Sequence, residues 1–162
     1  MRTDRYTTEG TFQALRGKLD YIQDLGATAI MLTPAAQYFR DPNMNGDPTW
    51  DVAYGTVEPD ILDSRFGTEK DFHDLINDMH SRGMKLILDM VPHGVWRTST
   101  VVAQHPHWWV LDANGKPVEN WGAMYDFDYT QKDVQDFWIN NVINNWVLKF
   151  DIDGVRADLE PT

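Results

Sequence analysis

Apolar residues recur at helical spacing near the start of the chain and then gather into a short unbroken run. Phe12, Leu15, Leu19 and Ile22 fall three or four residues apart, and Gly26 stands where a helix would end. An apolar run at 27–32 follows directly. This order predicts a helix and then a strand that is buried on both faces.

The same order of helix and strand returns twice. Thr68 and Asp71 form a capping-box signature before an apolar helical face that ends at Gly83, and the run 85–91 follows. In the third copy, two rows of apolar residues step by four ahead of 153–158: Val134, Trp138, Val142 and Trp146, and Ile139, Ile143 and Val147. Helices that alternate with buried strands indicate an α/β fold with a parallel sheet, either doubly wound or closed as a barrel.

Two long segments interrupt this alternation, at 34–67 and at 92–132. Segments of this length in a compact domain are usually functional loops or small inserted subdomains. Each leaves from the C-terminal end of a strand, where folds of this class keep their active sites. We therefore expect 34–67 to be a long loop near the site and 92–132 to be an inserted loop subdomain.

Composition narrows the class of partner. The net charge of −11 and the lack of Lys and Arg clusters argue against nucleic acid. No stretch approaches the roughly 18 apolar residues of a membrane span, and the first residues lack the apolar stretch of a secretory signal. The 7 Trp, 6 Tyr and 7 Phe suit the apolar C–H patches of sugar rings, although most such rings pack in a core. Without Cys, disulfides and thiolate nucleophiles are impossible and the compartment stays open.

Charged residues stand at the ends of two predicted strands. Asp89 ends one strand, and Arg156 and Asp158 end another. Residues two apart on a strand point to the same face, so this Arg and Asp should lie side by side. Burying charges among Leu and Ile is unfavourable unless they pair. The residues are therefore either a structural ion pair or a site in which the guanidinium holds Asp158 ionised, as a carboxylate nucleophile requires.

Several segments resemble glycoside hydrolase family 13, the α-amylase family. Gly154-Val155-Arg156-Ala157-Asp158 is similar to the Gly-x-Arg-x-Asp segment that carries the family's nucleophile, and Asp89-Met90-Val91-Pro92-His93 resembles its segment on the third barrel strand. Tyr54 resembles the tyrosine of the cleavage subsite, and 4–6, 19–30 and 33–34 resemble earlier segments in the same order. The resemblance implies that 1–162 is a partial (β/α)8 barrel with about strands 2 to 4, their helices and a loop-rich insertion after the third strand.

The resemblance also implies a function. It indicates hydrolysis of α-glucosidic bonds in starch-like glucans by a retaining mechanism, with Asp158 as nucleophile and Arg156 tuning it. Tyr54, Asp89 and His93 would shape the sugar subsite, and Trp50 and Trp121 would stack on glucose rings or simply pack the long segments. His93 stands where the family usually has Asn and is followed by Gly94, so it is either the subsite histidine shifted by one residue, a replacement for a calcium-binding asparagine, or a structural residue.

Two further catalytic groups are expected elsewhere. In the family the general acid is a Glu on the fifth strand and a further Asp acts from the seventh, whereas this sequence ends just past the fourth. Glu160 could be proposed as the acid, but so close to Asp158 it would lie on the same side of a sugar, and a solvated loop carboxylate is the alternative. We expect the isolated chain to be inactive and to self-associate through its open sheet, so the remaining barrel strands are required.

One loop has the spacing of a cation site. Side chains that carry oxygen stand at every second position from Asp41 to Asp47, with Gly46 among them. Tight loops that bind calcium use this spacing. The candidate ligands are Asp41, Asn43, Asn45, Asp47 and Asp51. The twelfth position is Val52, where an EF-hand has Glu, and the same residue types are ordinary in turns. Calcium and a plain turn are both open; no organic cofactor is expected.

Two alternatives to a hydrolase remain. A glucanotransferase or branching enzyme of the same family would share these motifs, because the choice of acceptor depends on other loops. A barrel relative without catalysis, serving as an interaction module, is the alternative from a different class. The presence of both Arg156 and Asp158 argues against the second.

Overall fold

A parallel sheet with helices on one face organises the chain. The computed structural model describes residues 1–2, 6–40 and 53–158. Strands β1 (Ala29–Leu32), β4 (Lys85–Met90) and β8 (Gly154–Ala157) form the sheet in the order β1-β4-β8. Each later strand lies on the same side of the preceding one, as in a barrel. In a doubly wound sheet, by contrast, the order of the strands reverses part of the way along the chain.

Helices precede each of these strands. Helices α1 (Phe12–Arg16) and α2 (Leu19–Asp24) precede β1, α3 (Glu69–Ser81) precedes β4, and α5 (Lys132–Asp136) continues as π-helical segments at Phe137–Ile143 and Asn145–Lys149 before β8. Their apolar faces share one core with the strand residues Ile30, Leu32, Leu86 and Leu88. On the other face of the sheet Met31 is exposed. Among the described residues, no helix is both long and apolar enough to cross a membrane.

The predicted helical pattern is confirmed with two local differences. The Thr68 hydroxyl and the Asp71 carboxylate form both hydrogen bonds of the capping box. The first helix is not continuous but breaks at Gly17 and Lys18, although its four predicted apolar residues are all buried. In the last helix the apolar residues are spaced four apart. In a regular α-helix, with about 3.6 residues per turn, residues with this spacing would move gradually around the helix axis. The wider i to i+5 turns bring Val134, Trp138, Val142 and Trp146 to one buried face.

The two long segments contain antiparallel strands that the apolar pattern did not predict. Within 34–67, β2 (Ala36–Tyr38) pairs with β3 (Thr56–Leu62). Within 92–132, β7 (Met124–Asp126) lies between β5 (Gly94–Trp96) and β6 (Glu119–Asn120), and helix α4 (Thr100–Gln104) follows β5. The division of the chain into a barrel part, a loop at 34–67 and a subdomain at 92–132 stays a prediction.

A buried carboxylate joins the two long segments. Glu58 on β3 accepts hydrogen bonds from the Thr100 backbone N–H at 2.8 Å and the Thr100 hydroxyl at 3.0 Å. The Trp146 indole N–H donates to the Pro59 carbonyl at 2.8 Å and so ties the last helix to the same strand. These contacts hold both segments above the C-terminal ends of the parallel strands, where Asp89 and Arg156 lie.

Candidate active site

Asp89 is the buried centre of the candidate site. It stands in β4 one residue before the strand ends, and its side chain is fully buried. Its Oδ2 accepts hydrogen bonds from the Tyr54 hydroxyl and from Nη1 of Arg156, each at 2.7 Å. Oδ1 has no hydrogen-bond partner among the residues that the structure describes. A buried carboxylate beside a cation and a phenol is therefore built into the end of this strand.

Arg156 connects this buried carboxylate to an open one. Asp89 and Arg156 are register partners on adjacent parallel strands. The other guanidinium nitrogen, Nη2, lies 2.8 Å from Oδ1 of Asp158, so the pairing predicted from the two-residue spacing is present. The Asp158 side chain is 34% exposed whereas that of Asp89 is 0% exposed, so only Asp158 is open to a molecule arriving from solvent.

The backbone fixes the position of Asp158 as well. Its N–H donates to the Met90 carbonyl at 2.8 Å, which extends the ladder between β4 and β8 by one more hydrogen bond. The carboxylate is therefore held from the main chain and from the side chain of Arg156 at once. A reactive group held in this way needs little reorganisation when a substrate arrives.

The protonation of the neighbouring groups follows from these contacts. Burial, and then the hydrogen bond to Asp89, raise the pKa of Tyr54 to about 12. The hydrogen bond to Asp89 also raises the pKa of Arg156. Tyr54 is therefore a neutral hydrogen-bond donor and Arg156 a cation over the whole physiological range.

His93 lies beside a different carboxylate. Its Nδ1 is 3.4 Å from Oδ1 of Asp126 on β7, and its side chain is 16% exposed. The described contacts of His93 include none with Asp89, Arg156 or Asp158. Asn120 donates from its amide to the other oxygen of Asp126, which places Asp126 between His93 and β6. The sequence pattern gave no signal for Asp126, because it is one of several acidic residues in a long segment.

The remaining predicted site residues divide into one that is described and seven that are not. Trp121 is 58% exposed on the turn between β6 and β7. Trp50 and the predicted calcium ligands Asp41, Asn43, Asn45, Asp47 and Asp51 lie outside the described residues, as does Glu160. Within the described ranges, no three His, Cys, Asp or Glu side chains are grouped so that they could hold a metal ion.

Comparison with known families identifies related catalytic domains. The sequence model described as "Alpha amylase, catalytic domain" matches residues 1–105, and the one described as "Hypothetical glycosyl hydrolase family 15" matches residues 79–160. The two matches together cover every described residue of the candidate site.

Individual relatives differ in the reactions that their names describe. The chain is 32% identical to the malto-oligosyltrehalose trehalohydrolase of Saccharolobus solfataricus over 94% of its length and 25% of that protein. It is 31% identical to the 1,4-α-glucan branching enzyme of Kitasatospora aureofaciens over 85% of its length and 17% of that enzyme. The chain thus spans about a quarter or less of these two relatives.

A solved structure supports the same relationship. The crystal structure of an α-amylase from Lactobacillus plantarum matches with a TM-score of 0.85 and 26% identity, over 99% of this chain and 37% of that one. The three parallel strands with their preceding helices are therefore part of a (β/α)8 barrel, as the sequence predicted. On the match to residues 1–105 and on these similarities, the chain belongs to the α-amylase family of catalytic domains, glycoside hydrolase family 13.

Proposed function

We propose that this chain carries the nucleophile side of the active site of a retaining hydrolase acting on α-glucosidic bonds of starch-like glucans. One observation carries the proposal: Arg156 bridges a fully buried carboxylate, Asp89, and a solvent-accessible one, Asp158. The buried pair fixes the guanidinium, and the guanidinium in turn orients the open carboxylate. A positioned carboxylate at the C-terminal end of a barrel strand is where this fold keeps its catalytic groups.

In the proposed reaction, a carboxylate oxygen of Asp158 attacks the anomeric carbon of a glucose unit. The bond to the leaving oxygen breaks, and that oxygen takes a proton from a general acid, which leaves a glycosyl ester on Asp158. Water then gives a proton to the deprotonated acid and attacks the same carbon, which releases the sugar and restores both the carboxylate and the acid. Tyr54 and Asp89, with His93, Trp50 and Trp121 around them, would shape the position of the sugar.

The general acid decides what the 162-residue chain can do alone. A retaining enzyme places its two carboxyl groups about 5 Å apart on opposite sides of the glycosidic bond. Asp89, the carboxylate joined to Asp158 through Arg156, is buried and already accepts two hydrogen bonds, so it cannot serve as that acid. We therefore propose that the chain alone hydrolyses starch too slowly to detect and that the remaining barrel strands supply the acid.

An activated sugar tests the nucleophile without the acid. In 5-fluoro-α-glucosyl fluoride the fluoride leaves without protonation, and the ring fluorine slows breakdown of the ester, so a retaining nucleophile becomes labelled. Mass spectrometry of the digested chain is expected to find one added fluoroglucosyl group on the peptide that contains Asp158. The D158N variant should remain unlabelled. Labelling at another carboxylate, or none in wild-type protein with intact circular dichroism, would refute the assignment.

A transferase is the second candidate, because a branching enzyme is among the relatives with about the same identity as the hydrolase. Both reactions share the glycosyl ester on Asp158 and differ in what resolves it. Labelled protein incubated with maltose distinguishes them: water regenerates free fluoroglucose, whereas a transferase forms a longer fluorinated saccharide.

Calcium binding by the segment 41–51 is a separate proposal. It is based on the alternate spacing of Asp41, Asn43, Asn45 and Asp47, with Asp51 further along. A bound ion stabilises the folded state by mass action, so millimolar calcium should raise the thermal midpoint and chelation should lower it. The D47N variant should lose most of this shift. A midpoint that ignores calcium in wild-type protein favours a plain turn.

A further inference from the structure

Two buried polar atoms at the C-terminal ends of neighbouring strands have no hydrogen-bond partner among the described residues. One is Oδ1 of Asp89, whose other oxygen binds Tyr54 and Arg156. The second is the hydroxyl of Thr33, which directly follows β1. Thr33 is 9% exposed and Asp89 is 1% exposed, so bulk solvent reaches neither group well. A buried polar group without a partner is unfavourable, so each of these two atoms calls for one.

The strand register places the two residues side by side. Leu32 of β1 and Leu88 of β4 are partners in the parallel ladder, and Thr33 and Asp89 each stand one position further along. Side chains on a strand alternate between its two faces. Because Leu32 and Leu88 both lie in the core beneath the helices, Thr33 and Asp89 both belong to the opposite face of the sheet.

The backbone around Thr33 supports this extension of the register. Pro34 follows Thr33 and favours an extended backbone at Thr33, and the Thr33 N–H donates to the Met1 carbonyl at 2.9 Å. Thr33 therefore continues the geometry of β1. On the other side of Asp89, its register partner on β8 is Arg156. Thr33, Asp89 and Arg156 thus form one polar row across the three parallel strands.

A single water molecule suits the gap between the first two members of this row. Strands of a sheet lie about 4.8 Å apart, so facing polar atoms that do not bond directly are at a distance that one water spans. An ionised carboxylate only accepts hydrogen bonds, whereas a hydroxyl and a water both donate and accept. A water can donate to Oδ1 of Asp89 and accept from the hydroxyl of Thr33. A metal cation would meet the like charge of Arg156, and an apolar group would leave both atoms unpaired.

We propose that Thr33 is a positioning residue for the reaction at Asp158 and that it acts through one buried water bound to Oδ1 of Asp89. This inference rests on the proposed function of Asp158. With Oδ2 bonded to Tyr54 and Arg156 and Oδ1 bonded to the water, the carboxylate of Asp89 is held against rotation at both oxygens. Arg156 then keeps one orientation, and so does Asp158, whose Oδ1 lies 2.8 Å from Nη2 of Arg156. A reactive group supported by such hydrogen bonds stays in its productive geometry.

Two substitutions at Thr33 separate the hydroxyl from the shape of the side chain. T33V keeps the branched shape that suits a strand and removes the hydroxyl, whereas T33S keeps the hydroxyl. T56V is the control, because Thr56 on β3 is also buried, at 3% exposure, and lies outside the polar row. The rate at which 5-fluoro-α-glucosyl fluoride labels Asp158 is measured over a range of reagent concentrations. Circular dichroism shows whether each variant is folded.

T33V is expected to lower the maximal labelling rate on the order of tenfold, which is a usual loss when a supporting hydrogen bond is removed from a site. The reagent concentration that gives half the maximal rate should stay the same, because the Thr33 hydroxyl does not touch the sugar. T33S and T56V should label at close to the wild-type rate. A high-resolution crystal structure of wild type should show a water within hydrogen-bond distance of both Oδ1 of Asp89 and the Thr33 hydroxyl, and T33V should lack this water.

The outcomes separate this inference from the function on which it rests. If folded T33V labels Asp158 as fast as wild type, or T33S labels as slowly as T33V, the hydroxyl does not position Asp89 and the inference is wrong. An equal loss in T56V would show a general effect of removing a buried hydroxyl and would also overturn it. A crystal structure with the Thr33 hydroxyl bonded directly to Asp89, or with no water between them, would overturn the bridge. If wild type is not labelled, the proposed function itself fails, and the crystal structure still decides whether the water is bound.

Discussion

Asp89 and Arg156 face each other across neighbouring parallel strands, with Nη1 of Arg156 at 2.7 Å from Oδ2 of Asp89. The pair is asymmetric, because the Asp89 side chain is fully buried and that of Arg156 is 45% exposed. A buried charge depends on its partner far more than an exposed one does. The second nitrogen of the guanidinium then holds Asp158. The buried Asp89 therefore positions the reactive carboxylate of Asp158 through Arg156.

This asymmetry predicts that the two halves of the pair differ in their effect on stability. The D89N variant removes one buried charge and weakens two hydrogen bonds, which should cost about 1–3 kcal/mol in the free energy of unfolding. R156Q should lower it further, because Asp89 would stay buried with only Tyr54 beside it. Urea unfolding at neutral pH measures both, with R97Q as a control in an exposed ion pair. A D89N variant less stable than R156Q would contradict the argument.

Tyr54 should make stability fall at alkaline pH. Its pKa in the folded chain is about 12, above the ordinary value of about 10, because of burial and the hydrogen bond to Asp89. The unfolded chain therefore loses the phenolic proton first. The stabilisation is complete below pH 10 and is lost as the pH rises from 10 to 12.

The Y54F variant tests this dependence. It should be about 1–2 kcal/mol less stable at pH 8, where the hydrogen bond is lost, and the difference from wild type should shrink above pH 10. Near-ultraviolet absorbance of tyrosinate should lose a component that titrates near pH 12. Y21F, at an exposed position, is the control and should leave the component near pH 12 in place. An unchanged late component in Y54F would show that the phenol of Tyr54 titrates elsewhere.

Much of the barrel part could be predicted from local sequence, because helices and buried strands have their own spacing. The capping box at Thr68 and Asp71 and the pairing of Arg156 with Asp158 each depend on residues two or three apart, and both are present. The hydrogen bond between Tyr54 and Asp89 joins residues 35 apart, one just before β3 and the other on β4, and it depends on how these separate parts of the chain pack together. No local pattern reports such packing.

Gly94 shows a second limit of sequence analysis. In the sequence, Gly94 stands out only because it follows His93 and departs from the family pattern there. In the structure, a methyl group at Gly94 would lie 2.4 Å from the Tyr125 carbonyl oxygen on the paired strand β7. The residue is therefore small because two backbones approach closely, a reason that becomes visible only once the strands are paired.

The close approach predicts a clear effect of a single methyl group. G94A should push β5 away from β7 and cost about 2 kcal/mol or more, because the obstacle is backbone and cannot rotate away. G154A is a matched control in β8, where the nearest atom would be Cγ1 of Ile87 at 3.9 Å. Thermal unfolding should show a lower midpoint for G94A and little change for G154A. Equal midpoints would mean that the strands accommodate the methyl group.

Asp153, at the opposite end of the sheet, should contribute to the loss of stability in acid. Burial alone would raise its pKa, but hydrogen bonds from Lys85 Nζ at 2.7 Å, the Leu86 N–H at 2.9 Å and the His80 ring at 2.7 Å outweigh burial and lower it to about 2. The folded chain thus keeps this carboxylate ionised at a pH where the unfolded chain, with an ordinary pKa of about 3.9, takes up a proton. The stabilisation is present above pH 4 and is lost as the pH falls toward 2.

The D153N variant should remove this acid dependence. Urea midpoints measured from pH 7 to pH 2 are expected to fall less steeply below pH 4 in D153N than in wild type, and D153N should be the less stable protein at pH 7. The exposed residue Asp24 gives the control, since D24N should follow the wild-type slope. If D153N and wild type lose stability in parallel below pH 4, the three hydrogen bonds to Asp153 do not favour its ionised form, and the acid sensitivity of the chain has another origin.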